Sequence, residues 1–420
     1  MSKRFTLYIL LGMILGIFVG YGLNSSVGDA ESLARVAGYF SIVTDVFLRL
    51  IKMIIAPLVF STLVVGIAHM GDTASLGRVG VRTLGWFLLA SVISLMLGIL
   101  MVSLLQPGAS LALPLPPADA TAGIKATGLS LREFITHLVP RSAAEAMANN
   151  EILQIVVFSI FFGVALAAIG EKGKNLVHVV GEIAEVMLKV TGYVMLFAPF
   201  AVFAAIAATV TTQGLGILVT YGAFIGGFYL SLGVLWTILV ILGSLVIGPR
   251  VLKLIRAVRE PTLLAFSTAS SEAAYPKTLE QLEKFGCSKR ISSFVLPLGY
   301  SFNLDGSMMY CTFATLFIAQ AYSIDLTLTQ QVTMLLLLMV TSKGMAGVPR
   351  ASLVVIAATL SFFHIPEAGL LLILAVDHFL DMGRSATNVI GNSIATAVVA
   401  KWEGQLAPAV ADEDEAKVQV

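Results

Sequence analysis

Charge is what this sequence has least of. Only 12% of its 420 residues are Asp, Glu, Lys or Arg, about half the share found in soluble domains. A mean hydropathy of +0.92 leaves little room for a water-soluble domain. The two signs nearly cancel, at a net charge of +1, so there is no basic surface to suggest a nucleic-acid partner. Cysteine is almost missing: Cys287 and Cys311 are too few for a disulfide framework and lack metal-ligand spacing. The five histidines are dispersed. No His-Glu-x-x-His, Gly-x-Ser-x-Gly or Gly-x-x-x-x-Gly-Lys stretch occurs, which argues against metalloprotease, hydrolase and ATP-driven chemistry. No cofactor is expected.

What the chain has instead is apolar length. Met1-Ser2-Lys3-Arg4 precedes a 19-residue apolar run, 5–23. That run is too long for the apolar core of a signal peptide and reads as a first membrane helix. Further spans are expected over about 41–70, 83–105, 152–169, 177–212 and 217–247. Arg49 and Lys52 in the second are placed near a helix end or snorkelling. Residues 71–82 read as a link, and the long loop after Gln106-Pro107-Gly108 contains Leu113-Pro114-Leu115-Pro116-Pro117-Ala118-Asp119. Pro199 interrupts the fifth span. Arg250, Lys253, Arg256 and Arg259 mark a cytoplasmic segment, as do Lys3, Arg4, Arg78 and Arg82. The expectation is a multi-pass protein of the cell inner (plasma) membrane with both termini in the cytoplasm.

Beyond residue 250 the apolar stretches shorten and break twice. One break is Ser267-Thr268-Ala269-Ser270-Ser271-Glu272-Ala273-Ala274-Tyr275-Pro276; the other is Thr341-Ser342-Lys343-Gly344-Met345-Ala346-Gly347-Val348-Pro349-Arg350-Ala351-Ser352. Sequence half a membrane long flanks each, the pattern of a hairpin that enters, turns and leaves by the same face. Pro276 precedes Asp305 by 29 residues and Pro349 precedes Asp377 by 28. A repeated pair of interrupted segments points to a transporter binding site, against the alternative of two glycine-bearing loops at coincidental spacing.

An acidic motif follows each break. In Ser301-Phe302-Asn303-Leu304-Asp305-Gly306-Ser307, Asn and Gly predict an unwound helix whose carbonyls and Asp305 can hold a cation; a purely structural kink is the alternative. The second motif lies in apolar sequence over 369–400 that is long enough to cross a bilayer as one helix. There Asp377, Asp381, Arg384, Asn388 and Asn392 fall within an arc of about 80°. A charge at bilayer depth costs about 2.5–3.5 kcal/mol, so the cluster reads as a functional site. The alternative is that Asp381 and Arg384 merely neutralise each other at i and i+3.

These two tips and two motifs together resemble the dicarboxylate/amino acid:cation symporters, the family of glutamate transporters. The pattern is nearest that of bacterial proton-coupled glutamate/aspartate symporters. The motifs lie between Ser267 and Asn392, and the six leading spans extend the resemblance over nearly the whole chain. The resemblance implies an all-α polytopic membrane protein with eight transmembrane helices, two re-entrant hairpins and repeated, broken halves. It implies a homotrimer and an elevator-type mechanism. Residues 1–250 would be mostly scaffold, with helices three and six flanking the transport core. That core would span 251–403. By composition, 404–420 reads as a disordered cytoplasmic tail, with Asp412-Glu413-Asp414-Glu415 making 409–420 a solvated end.

Carried over residue by residue, Arg384 would clamp the substrate's side-chain carboxylate and Asp381 would take its ammonium. Asn388 and Ser307 would hold the α-carboxylate, with Ser385 alongside. Ala269, Ser270 and Ser271 would close over the substrate from one tip, and Val348 and Ser352 from the other. Plain dicarboxylate members resemble this sequence but lack the acid at Asp381, so its presence implies an amino acid. If sodium is used, Gly299, Asn303, Asp305, Asn388 and Asn392 would hold it.

The sodium-coupled archaeal members differ at several of these positions. Leu304 and Ser307 replace a Met and a Thr in the first acidic motif, and Asn392 replaces an aspartate. On helix three, Phe87 and Ala90 replace a Tyr and a Thr, while Ser91 is kept. Ala269 stands where those members have a basic residue, and Arg350 is an unfamiliar charge. Lys343 either puts an ammonium where sodium would sit or snorkels to water. These departures favour protons as the coupling cation. Glu272 is the leading proton carrier and Asp305 the second, with a helix-capping role for Glu272 as its alternative.

The function expected is import of glutamate or aspartate by proton symport, not an enzymatic reaction. The other possibilities are sodium coupling, a C4-dicarboxylate substrate and, further off, a channel, which an Arg and two Asp on one face suit less than a bound solute.

Overall fold

Helices make up the described chain, because a backbone away from water can satisfy its N–H and C=O groups only within itself. The computed structural model describes residues 2–27, 29–68, 73–109, 136, 138–216, 221–341, 351–374 and 376–408. Helices α1 (Ser2–Ser26), α2 (Ala30–Ala68) and α3 (Thr73–Leu105) come first. A short α4 (Ala143–Ala148) and α5 (Ile152–Ala168) follow. Then α6 (Lys174–Met195) and α7 (Ala198–Gln213) form a pair bent by 51°. The second half comprises α8 (Gly222–Ile247), α9 (Arg250–Ala257), α10 (Arg259–Thr268), α11 (Ser271–Phe285), α12 (Lys289–Phe302) and α13 (Asp305–Ala321). It ends with α14 (Leu328–Thr341), α15 (Ala351–Phe362), α16 (Leu370–Leu374) and α17 (Asp377–Trp402). Among the described residues, four helices are long and apolar enough to cross a membrane, or five if the bent pair is one span. This is an all-helical membrane protein.

Several expected boundaries move. Helix α3 begins at Thr73, so most of the expected link 71–82 is helical. Arg78 and Arg82, at i and i+4, share one face there and both reach Glu403. The expected single span over 369–400 is split, with α16 stopping at Leu374 and α17 starting at Asp377. An acid in a helix's first turn meets unpaired N–H groups, which favours a new start there. Lys52 is not at a helix end: it lies well inside α2, half-buried on the wall of a cavity. The Pro-rich loop stretch 113–119, the second tip from 342 to 350 and the acidic tail from 409 lie outside the described residues.

Hydrogen bonds sort many of the helices into two groups. Asn24 Nδ2 donates to the Thr211 carbonyl at 2.9 Å and Thr44 Oγ1 to that of Ala201 at 3.4 Å, joining α1 and α2 to α7. Gln320 Nε2 donates to the Val102 carbonyl at 3.2 Å, joining α13 to α3. Tyr229 Oη donates to the Phe379 carbonyl at 2.6 Å and Trp236 Nε1 to Thr387 Oγ1 at 2.8 Å, joining α8 to α17. Helix α17 lies at the centre of this second group, with every residue from Ser385 to Ala400 buried.

The first break is a tight helical hairpin. Helix α10 ends at Thr268, Ala269 turns left-handed at φ 50°, and Ser270 is extended at φ −138°. The Ser270 hydroxyl caps α11 by accepting from Ala273 N at 3.3 Å. Lys277 Nζ then lies 3.5 Å from the buried Glu260 carboxylate and 3.0 Å from that of Glu280, which closes the base. The arms therefore run antiparallel, with Ala265 packed near Ala274 and both against Val389 of α17.

Residues 404–408, grouped with the tail by composition, form a strap. Ser288 N donates to the Gln405 carbonyl at 3.1 Å and Ala407 N to that of Gly286 at 2.8 Å. Arg250 Nη1 reaches the Ala407 carbonyl at 2.9 Å.

Candidate functional site

The hairpin tip and the first turns of α17 face each other across a cavity of about 480 Å³. Thr268 to Glu272 line it from the hairpin, and Asp377, His378, Asp381 and Arg384 from α17. The opposite wall comes from α2, with Asp45 and Lys52, and from α7, with Thr209 and Gln213. Four carboxylates (Asp45, Glu272, Asp377, Asp381) thus stand against two basic side chains (Lys52, Arg384).

Arg384 is the hinge of the site. Its Nε donates to Asp381 Oδ1 at 2.5 Å, so the i, i+3 pairing exists. Its Nη1 donates to Ser307 Oγ at 3.0 Å, which also accepts from Asn388 Nδ2 at 3.1 Å. Both charged side chains keep about 15% of their surface exposed, at 16% for Arg384 and 15% for Asp381. The pair therefore faces the cavity, while Ser307 and Asn388 sit fully buried behind it. Tyr310 Oη donates to Asp377 Oδ1 at 2.7 Å, holding the next carboxylate along the same face.

Behind this layer lies a second, fully buried one. The helix breaks at Asn303-Leu304, as the Asn-x-Asp-Gly motif predicts, and resumes at Asp305. Asn388 Oδ1 accepts from Gly306 N at 2.9 Å and Ser307 N at 3.4 Å. It thereby caps the start of α13 from across the helix pair. Asn303 Nδ2 donates to Asp305 Oδ2 at 3.1 Å and to Asn392 Oδ1 at 3.2 Å. Helices α13 and α17 approach this closely because of two glycines. A Cβ at Gly391 would strike Asp305 Oδ2, and one at Gly306 would strike the Arg384 carbonyl.

Most of the expected site residues therefore converge in two layers. Arg384, Asp381, Ala269, Ser270, Ser271 and Glu272 line the cavity. Ser307 and Asn388 support Arg384. Asp305, Asn303 and Asn392 form the buried cluster, with Gly299 against the Asn392 side chain. Asn388, expected also among the cation ligands, turns its oxygen to the α13 cap. Ser385 and Ser352 are buried, with hydroxyls that have no hydrogen-bond partner among the described residues. Val348, Lys343 and Arg350 lie outside the described residues. The sequence reading missed Ser94 on α3, whose hydroxyl lies 3.4 Å from Asp305 Oδ1, and the tyrosine on Asp377. Ser94 stands one turn beyond Ala90, where the family's hydroxyl is missing, and that spacing is the available signal.

Comparison with known proteins points the same way. The model of the "Sodium:dicarboxylate symporter family" matches residues 5–402. The chain is 42% identical to a "Proton/sodium-glutamate symport protein" of Bacillus caldotenax over 404 residues, covering 94% of each chain. It is 38% identical to a protein of the same name in Bacillus subtilis over 412 residues, 96% of this chain and 94% of that one. It is also 39% identical to a "C4-dicarboxylate transport protein" of Laribacter hongkongensis, over 96% of this chain and 92% of that one.

Proposed function

The chain belongs to the sodium:dicarboxylate symporter family and is a transporter, not an enzyme; from that premise we propose that it imports glutamate or aspartate by proton-coupled secondary active symport. One observation carries the substrate: Asp381 and Arg384 are paired one turn apart on the cavity wall, beside the hairpin tip. An acidic amino acid brings one ammonium and two carboxylates. Its side-chain carboxylate takes the planar fork of Arg384, and its ammonium takes Asp381. Loading then exchanges one ion pair for two and leaves the α-carboxylate to hydrogen bonds. Ser307 and Asn388 hold the α-carboxylate, and the backbone at Ala269 to Ser271 closes over it.

The lining supports cation coupling. Four acids against two bases make the cavity net acidic, so a substrate carrying a net negative charge enters against the field unless positive charge comes with it. Glu272, in the first turn of α11 and half-buried at the cavity, is the proton carrier in this reading, with Asp305 second.

Eight transmembrane helices and two re-entrant hairpins, α10–α11 and α14–α15, complete the architecture. Three copies assemble through their scaffold helices, and the core of residues 251–403 moves against them with α3 and α8 attached. The hydrogen bonds from α3 to α13 and from α8 to α17 support that partition. The protein resides in the inner membrane with both termini in the cytoplasm.

The C4-dicarboxylate relative gives a second reading for the substrate. Asp381 favours the amino acid, because a plain dicarboxylate has no ammonium for it. Uptake of labelled glutamate, aspartate and succinate into proteoliposomes, with pH and sodium gradients imposed separately, tests both points. Accumulation of glutamate under an inside-alkaline gradient without sodium is expected. Accumulation of succinate alone, or under a sodium gradient alone, rejects the corresponding half of the proposal.

A further inference from the structure

Helix α2 brings a cation to the cavity that has no partner of its own. Ser41, Thr44, Asp45, Leu48 and Lys52 form one stripe on that helix and line the wall opposite the hairpin tip. Lys52 is half-buried there and Asp45 is exposed. Among the described residues, neither side chain makes a hydrogen bond or an ion pair. Two turns of helix, about 10 Å of rise, separate the two.

The Lys52 ammonium has only the cavity to turn to. The ends of α2 at Ala30 and Ala68 lie roughly 33 and 24 Å away along the helix, far beyond the reach of a lysine stem. Beside it, Ile51, Ile54 and Ile55 are buried in the core. A bare ammonium at this depth is costly unless it meets water or an anion. Across the cavity, Asp381 already accepts from Arg384 Nε and Asp377 from Tyr310 Oη. The group that completes Lys52 therefore comes from outside the protein, and it is an anion.

We propose that Lys52 is the first contact of the substrate's carboxylate in the cavity, before that carboxylate passes to Arg384 on the facing wall. This rests on the transported solute being an acidic anion. An ammonium is a compact point charge on a flexible stem, so it attracts a carboxylate without fixing its orientation. The planar guanidinium of Arg384 takes two oxygens at once and holds them in one plane. Capture by lysine and seating by arginine follow from that difference. Asp45, on the same stripe, repels the same carboxylate. Lys52 thus offsets an acidic lining that would otherwise slow entry.

The test is initial uptake of labelled glutamate into proteoliposomes holding wild type, Lys52→Gln, Lys52→Arg or Asp45→Asn. Glutamate is titrated at low ionic strength and again with added choline chloride. Lys52→Gln is expected to raise KM about three- to fivefold, with a smaller change in the maximal rate. Added salt should narrow the gap to wild type, because it screens a partly solvated charge. Lys52→Arg should restore most of the lost affinity, and Asp45→Asn should lower KM. An unchanged KM in Lys52→Gln overturns the proposal, as does a loss confined to the maximal rate. A rise in KM in both Lys52→Gln and Asp45→Asn overturns it too, since the wall then acts through its shape and not its charge. A displaced pH profile at unchanged KM would make Lys52 a counter-ion of Glu272 and also overturns capture. If wild type takes up succinate and not glutamate, the amino-acid assignment falls, and the same KM comparison with succinate decides the role of Lys52. If it takes up neither, both fall.

Discussion

The Arg82 guanidinium holds the Glu403 carboxylate at 2.8 Å across 321 residues of sequence. Arg78 takes the other oxygen at 3.1 Å, and the Glu403 side chain is only 3% exposed while the two arginines remain half in solvent. The pair ties the start of α3 to the end of α17. Trp86 meets Trp402 edge to face one turn further in, with ring centroids 5.8 Å apart. Ser94, about three turns beyond Arg82 on α3, meets Asp305 of α13 at 3.4 Å.

Glu403→Gln keeps the shape of the side chain but removes its charge from two guanidiniums. Its expected effect is a loss of about 1–3 kcal/mol, because a buried charge-assisted contact is lost while its partners can rehydrate. Cys287 and Cys311 are both free and buried, so a thiol-reactive dye reports unfolding directly. A lowered melting midpoint is the expected result; an unchanged one would show that the clamp adds no stability.

Arg384 sets the substrate class. Replacing it with Ser or Cys strips the cavity of its planar carboxylate fork and leaves Asp381 without its partner at 2.5 Å. Glutamate and aspartate uptake should fall to background, while small neutral amino acids gain entry. Undiminished glutamate transport by either variant sinks the assignment.

Asp381→Asn separates amino acids from dicarboxylates. The amide cannot balance an ammonium, so uptake of aspartate should be lost at concentrations that saturate wild type. Arg384 still binds a carboxylate, so weak succinate uptake should survive. Normal aspartate affinity in the variant would remove the ammonium role from Asp381.

Glu272→Gln fixes the side chain in a neutral form. If Glu272 carries the proton, accumulation driven by an inside-alkaline gradient collapses, while exchange of internal for external glutamate continues. Full proton-driven accumulation by Glu272→Gln would move the carrier elsewhere, and Asp305→Asn is then the next variant to measure.

The broken helix at Asn303-Leu304 was legible in the sequence because the conflict is local. Asn is a poor helix former and Asp305 favours a new helix start, whatever packs around them. The hairpin tip was legible for a similar reason, since Ser270 caps α11 through its own Ala273 N–H. The early start of α3 was not legible. Residues 73–82 carry little apolar signal, and what holds Arg78 and Arg82 in the helix is a carboxylate near the other end of the chain.

By itself, then, the sequence determined the membrane class, the polar face of α17 and the order of the motifs. These follow from composition and from the 3.6-residue period, which each segment carries alone. Only the tertiary structure decided that Asn388 caps α13, that Lys52 faces the cavity and that Ser94 stands over Asp305. Each of these depends on the rotation and height of one helix against another. Those are set by side-chain packing and by glycines such as Gly306 and Gly391, and periodicity along a single helix contains no information about its neighbour's register.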